Sequence, residues 1–223
     1  MKITLRWPTA AELAASVPTP PGYDYVLPAA ADVPRLVRAV DDWFPGLAVS
    51  NASCFLREDF YTGSVCLDGD SDGDYFVLLY RYGHEWAGML AVERDRDSQV
   101  IYGRVGTVAS PHRGAGLSRT FPPLMEAMGR AMGMSMAYSL CTLRVPQMQH
   151  CFERSEWQLV GVMPGFDREV VEHGVVKRVF EAIYVKVLVA DAELLRPERQ
   201  GMTVATRSLF ELLYPGGPGG ASG

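Results

Sequence analysis

Val108-Ala109-Ser110-Pro111-His112-Arg113-Gly114-Ala115-Gly116-Leu117-Ser118 decides how this chain is read. The stretch follows a strand-like run, Ile101 to Val108. It leads into a segment where Phe121, Leu124, Met125, Met128 and Met132 recur three or four apart, as the buried face of a helix would. Strand, glycine-rich turn and helix together form a device for holding phosphate. Gly114 and Gly116 let the backbone approach an anion closely, the first helical N–H groups lack partners, and the helix dipole favours negative charge there. Arg113 adds a cation beside those amides.

Two phosphate-binding readings fail on the residues. A P-loop needs Lys-Ser or Lys-Thr closing a longer glycine loop, and none is present. A dinucleotide fingerprint needs a third glycine near Arg119 and an acidic residue ending the next strand, and neither condition is met.

Outward from this stretch, the chain reads as one substantial core. It has 223 residues, of which 48% are hydrophobic and 21% charged, the proportions of an ordinary globular protein. A formal net charge of -5 without a basic stripe argues against nucleic acid as a partner. Cys54, Cys66, Cys141 and Cys151 and the four histidines, His84, His112, His150 and His173, show no paired ligand spacing, so no metal is expected. Reduced thiols, no apolar h-region and no apolar run of membrane-spanning length give a cytoplasmic protein as the expectation, with no membrane partner.

Residues 1–22 read as an N-terminal extension outside the core, with a short amphipathic piece from Ala10 to Ala15 and then Pro18, Pro20 and Pro21. Tyr23 to Leu27 reads as a first edge strand. Asp32 caps a helix whose apolar face is Val33, Leu36, Val37 and Val40, with Pro34 near its start where proline is tolerated. Trp43 to Asp59 is irregular and aromatic, with one short helix expected within it. Asp68 to Asp74 imitates a calcium loop, but its twelfth position is Leu79 in a strand-like run, so it reads as a solvated acidic turn. Tyr75 to Tyr82, Glu85 to Arg94 and Val100 to Ala109 form an antiparallel meander with short connections. Gly103 and Gly106 thin one face of its last strand, which suits either a ligand lying against backbone or close packing.

Beyond the loop helix, Gly133 marks a stop and Ser135 to Leu143 a strand. Pro146 to Arg154 reads as a short helix, Trp157 to Met163 as a strand, and Val176 to Val189 as a long last strand. Leu194-Leu195 and Leu209 to Leu213 indicate a C-terminal helical extension over 190–214, and 215–223 reads as a disordered tail.

This order of elements, with the Arg-Gly-x-Gly-Leu loop following a valine-containing strand end, resembles the GNAT acyltransferase superfamily over residues 23–189. The resemblance implies an α/β (α+β) fold: a mixed, mostly antiparallel central sheet flanked by helices and splayed around an acyl-CoA cleft. It implies acetyl-CoA or another acyl-CoA as co-substrate, with backbone near Val108 and Ser110 pairing with the pantetheine arm. Arg113, Gly114, Ala115, Gly116, Leu117 and Ser118 would surround the pyrophosphate, with Arg119 adding a contact. Two departures stand out. Pro122 and Pro123 fall early in the loop helix, predicting a distorted or delayed first turn if the helix starts at Ser118. In Cys151-Phe152-Glu153-Arg154-Ser155-Glu156-Trp157, Phe152 occupies the cofactor-side position where many relatives carry a tyrosine, and it has no hydroxyl to protonate a departing thiolate.

The chemistry so implied, acyl transfer to an amine, needs a proton acceptor for the amine, an oxyanion donor and a proton source for the thiolate. Glu93, at a strand end beside the loop strand, is the first candidate base. Tyr102 and Tyr138 are the hydroxyls nearest the expected cleft and Tyr184 lies on the last long strand, each a candidate proton donor in place of the missing tyrosine. Glu181 faces either pocket or solvent, and alternation alone leaves both open. His112, beside Arg113, is placed either at phosphate or on a plain surface loop. The resulting expectation is direct acetyl transfer to a primary amine of a small molecule in a ternary complex. The alternatives are a protein N-terminus or lysine as acceptor, and a non-catalytic acyl-CoA-binding sensor. An open last strand also leaves room for a homodimer.

Overall fold

In a computed structural model, residues 6–68 and 73–215 are described. The expected acidic turn falls largely on residues 69–72 and the tail on 216–223, outside the described residues. The elements are α1 (Ala10–Ser16), β1 (Tyr23–Val26), α2 (Val33–Trp43), α3 (Glu58–Ser64), β2 (Val65–Cys66), β3 (Tyr75–Tyr82) and β4 (Glu85–Asp95). They continue with β5 (Val100–Val108), α4 (Phe121–Met132), β6 (Met136–Thr142), α5 (Gln147–Arg154), β7 (Gln158–Val170), β8 (Val176–Val187) and α6 (Val204–Leu213).

The strands form one sheet in the order β1-β3-β4-β5-β6-β8-β7, with β2 alongside β3. Every pair along that order is antiparallel except β5–β6, which is parallel because α4 crosses over between them. Period-two alternation gives the sheet two apolar faces. Leu78, Tyr80, Leu90, Val92 and Ile101 pack toward α4, whose face is Phe121, Leu124, Met125, Met128 and Met132. Val77, Leu79, Met89, Ala91 and Val105 pack toward Val33, Leu36 and Val40 of α2. The meander and the loop helix thus match the sequence pattern.

Other elements differ from it in instructive ways. The N-terminal segment is partly core: Trp7 and Leu13 are buried in the same cluster as α4. Thr9 and Glu12 cap α1 reciprocally, at 2.7 Å for the Thr9 amide and 3.2 Å for the Glu12 amide. Asp32 does not cap α2. Its carboxylate instead accepts the Ala29 N–H at 3.0 Å, closing a 3-10 turn over Ala30–Asp32 that leads into the helix. The aromatic stretch after Trp43 holds two 3-10 turns, Pro45–Val49 and Ser53–Leu56, before α3. β7 runs on past Met163 to Val170, through register irregularities at Leu159/Gly161 and Pro164/Asp167.

A separate compact unit begins at Val189. Within it Thr203 caps α6 by accepting the Thr206 N–H at 3.2 Å, and Arg199 pairs with Glu211 at 3.2 Å. No helix among the described residues is long and apolar enough to cross a membrane.

Two features of β5 position the site. Its pairing with β6 covers only Val100–Gly103 against Met136–Ser139, and beyond that the strands part while β5 runs on to Val108 and β6 to Thr142. Gly103 and Gly106 let α4 lie close beneath this opening. A Cβ at Gly106 would sit 2.6 Å from the Phe121 ring, and one at Gly103 would sit 2.7 Å from Ser139 Oγ and 2.9 Å from Met125. Close packing thus accounts for both glycines. Gly106→Ala is expected to lower unfolding free energy by about 1–3 kcal/mol through overpacking, read as a shift of the urea midpoint at unchanged slope.

Candidate active site

The turn after β5 is built to leave amides free. Gly114 and Gly116 both have φ +87°, a left-handed conformation that glycine enters without a Cβ penalty. A 3-10 turn over Leu117–Thr120 follows, whose first internal bond is Arg119 N–H to the Gly116 carbonyl at 3.1 Å. The N–H groups of Gly114, Gly116, Leu117 and Ser118 make no hydrogen bond with any described residue. Successive unpaired amides beside left-handed residues form an anion-binding concavity. The expected delay of the helix is present. The α-helix proper begins at Phe121, with Thr120 as its N-cap residue, so Pro122 and Pro123 fall in the first turn, where a missing N–H removes no helical bond.

Arg113 is exposed, and its guanidinium folds back over the end of β5, 3.3 Å from the Val108 carbonyl and 3.4 Å from that of Trp43. Ser110, Ala115 and Arg119 are exposed around the turn, while Leu117 is buried beneath it. Ser118 Oγ lies 3.9 Å from the Cys151 thiol on α5. His112 is turned toward the sheet edge, its Nδ1 3.0 Å from the Tyr23 hydroxyl.

A cavity of about 450 Å³ occupies the opening between β5 and β6. Phe121 and Met125 of α4 with Met148 and Phe152 of α5 line one side of it. Phe44 and the segment from Gly46 to Ala52, Tyr102 and Arg104 of β5, residues 167–170 of β7 and Glu181 of β8 line the other. Within β5 a bulge takes Arg104 out of register, since Ala91 faces Val105 and Val92 faces Gly103.

Of the candidate proton-transfer residues, Tyr102 and Glu181 are on this lining, and Glu93, Tyr138 and Tyr184 are not. Glu93 accepts from Arg104 Nη1 at 2.9 Å. Tyr138 stacks flat on Tyr102, ring centroids 4.5 Å apart. Tyr184 is buried against Phe152 and donates to Glu153 at 2.9 Å, and burial together with that carboxylate pushes its hydroxyl pKa well up. Phe152 is buried and lines the cavity.

Glu181 is the carboxyl the structure brings to the cavity. It is 8% exposed and makes no hydrogen bond with a described residue. Burial, and then repulsion from Asp167 and Glu169, raise its pKa to about 7. Cys141, also on the lining, has its thiol pushed up to about 12, first by burial and then by Glu181. Asp167 and Glu169 belong to the part of β7 that sequence reading left unassigned. The signal was there as alternation, Asp167 and Glu169 on one face and Arg168 and Val170 on the other. Pro164 and Gly165 masked it by interrupting the strand pattern.

No family model and no curated protein matches this chain. Solved structures do. A microcin C7 self-immunity acetyltransferase, described in complex with acetyl-CoA and AMP, superposes with TM-score 0.56 at 15% identity, covering 78% of this chain and 99% of its own. A ribosomal L7/L12 alpha-N-protein acetyltransferase gives TM-score 0.56 at 16% identity, covering 78% and 99%. A putative acetyltransferase of the GNAT family from Desulfovibrio desulfuricans gives TM-score 0.57 at 13% identity, covering 75% and 99%. With the splayed parallel pair, the crossover helix and the free-amide turn between them, these superpositions establish that this chain has the fold of the GNAT superfamily.

Proposed function

We propose that this protein is an acyl-CoA-dependent N-acyltransferase that moves an acetyl group from acetyl-CoA to a primary amine of a small molecule by direct attack. The observation that carries the reading is the gap beyond Gly103 and Ser139. It opens a cavity lined by a buried carboxyl, Glu181, that has no hydrogen-bond partner among the described residues, and β5 leads on past this gap into the free-amide turn. Acetyl-CoA-bound and acetyltransferase neighbours of the same fold support that choice of substrate.

In this scheme the N–H groups of Gly114, Gly116, Leu117 and Ser118 hold the pyrophosphate, with Arg113 swinging from its resting contacts to add charge. In that arrangement the edge of β5 past Gly103, which β6 leaves unpaired, takes the pantetheine amides, and main-chain N–H groups at the Arg104 bulge serve the thioester oxygen. Glu181, with a pKa of about 7, is ionised in a useful fraction near neutrality and takes the proton as the amine nitrogen bonds to the acyl carbon. The C–S bond breaks and the thiolate leaves to be protonated by water, since Phe152 has no proton to give. A thiol with pKa about 12 is a poor nucleophile at neutral pH, so Cys141 does not carry the acyl group and transfer is direct.

Titration calorimetry with acetyl-CoA tests the first half. Wild-type protein is expected to bind, and the Arg113→Ala, Gly116→Pro double variant to lose that binding. Release of free thiol on adding amines tests the second half. Binding without thiol release across an amine panel would turn the reading into that of an acyl-CoA sensor, which the missing hydroxyl at Phe152 favours. Absence of acetyl-CoA binding by the wild type would sink both.

A further inference from the structure

Two carboxyls on the cavity lining have no ion-pair partner among the described residues. Glu93 neutralises Arg104 at 2.9 Å, and Glu169 neutralises Arg144 at 2.7 Å. Glu181 and Asp167 remain. Asp167 Oδ1 accepts the main-chain N–H groups of Asn51 at 2.7 Å and Arg168 at 2.6 Å, which keeps the carboxylate oriented but brings no cation to it. No cationic side chain among the described residues pairs with either carboxyl. Glu181 is more than nine-tenths buried, lines the cavity and has no hydrogen-bond partner among the described residues. Arg168, between Asp167 and Glu169, also borders the cavity, but its side chain is exposed and pairs with neither Asp167 nor Glu181.

The spacing of the two acids is set by the hairpin. Asp167 pairs with Val179, and Glu181 lies two residues further along β8 on the same face. The register irregularity between Pro164 and Asp167 falls between them, and both border the same cavity. Two buried or half-buried carboxyls facing one cavity with no cation paired to either are unfavourable unless a ligand brings positive charge to them.

Resting on the transferase reading for the identity of the site, we propose that the acceptor is a short-chain diamine, its reacting nitrogen beside Glu181 and its second, cationic nitrogen seated against Asp167. A monoamine leaves Asp167 uncompensated. An amino acid of the same length brings a third carboxylate to it.

The test is calorimetric titration of four-carbon amines that differ only at the distal end: putrescine, butylamine and γ-aminobutyrate, with and without CoA. Putrescine is expected to bind tightest, about tenfold tighter than butylamine, with γ-aminobutyrate weakest. Asp167→Asn should abolish the difference between putrescine and butylamine, the two binding that variant equally. Because Asp167 also anchors the Asn51 amide, thermal unfolding of the variant and the charge-keeping Asp167→Glu accompany it, and Asp167→Glu should retain the preference. Equal or tighter binding of butylamine or γ-aminobutyrate, no binding of any of the three, or a putrescine preference that survives Asp167→Asn would each overturn the proposal. The CoA titration reads the transferase assignment separately. A putrescine preference in a protein that binds no CoA would sink the transferase and keep the diamine site.

Discussion

Glu181→Gln is expected to reduce kcat/KM for acetyl transfer on the order of 10²–10⁴-fold, with acetyl-CoA affinity retained because Glu181 belongs to β8 and not to the free-amide turn that follows β5. The wild-type profile should carry a limb that rises through about pH 7, where the carboxyl ionises, and the Gln variant should lack that limb. A rise shared by both proteins would come from the amine substrate losing its own proton. Persistence of the limb near pH 7 in the variant would remove Glu181 from the proton path.

Stability gives an independent reading of the same group. A carboxyl with a pKa of 4.5 when free and about 7 when folded binds more protons in the native state between those values. Its contribution is therefore fully present below about pH 4.5 and is lost as pH rises through about 7. Chemical denaturation of the wild type across that window should show unfolding free energy falling with pH more steeply than in Glu181→Gln. Parallel curves would mean that the carboxyl is better solvated than its 8% exposure implies.

Phe121→Ala is the substitution expected to cost most in stability, about 3–5 kcal/mol for a large buried aromatic. Phe121 is 2% exposed, begins α4, fills the space that Gly106 leaves and has its ring 5.8 Å from that of Tyr80. Tyr80 in turn bonds the hydroxyl of Thr120, the residue that starts the helix. Removing the ring both empties this contact and enlarges the cavity it lines, so acetyl-CoA binding should weaken along with the fold. Urea unfolding checks the first, and calorimetry at a temperature where the variant remains folded checks the second. A loss below about 1 kcal/mol would show that the site collapses around the missing ring.

Much of this was legible in the chain because it is local. The glycines of the turn, the three-or-four spacing from Phe121 to Met132 and the alternation across Tyr75–Val108 each reflect forces acting within a few residues: left-handed turns, a helical stripe, a pleated strand. They define strand, anion turn, helix and meander, and their order resembles one superfamily. The prolines at 122 and 123 likewise predict a late helix start, since proline removes an amide wherever it stands.

What tertiary structure decided is which side chains meet. Glu93 and Glu181 are both acids on strands, and nothing within either strand says that Arg104 holds the first while the second faces a cavity without a partner. That difference comes from the bulge at Arg104, from the parting of β5 and β6 beyond Gly103, and from the continuation of β7 through Pro164 and Gly165 to Asp167. Each is a relation between strands far apart in sequence. A carboxyl's proton affinity follows the burial and neighbouring charge such relations create, which is why the sequence alone determined the fold and the glycine turn, and only the assembled sheet decided which carboxyl faces the cavity.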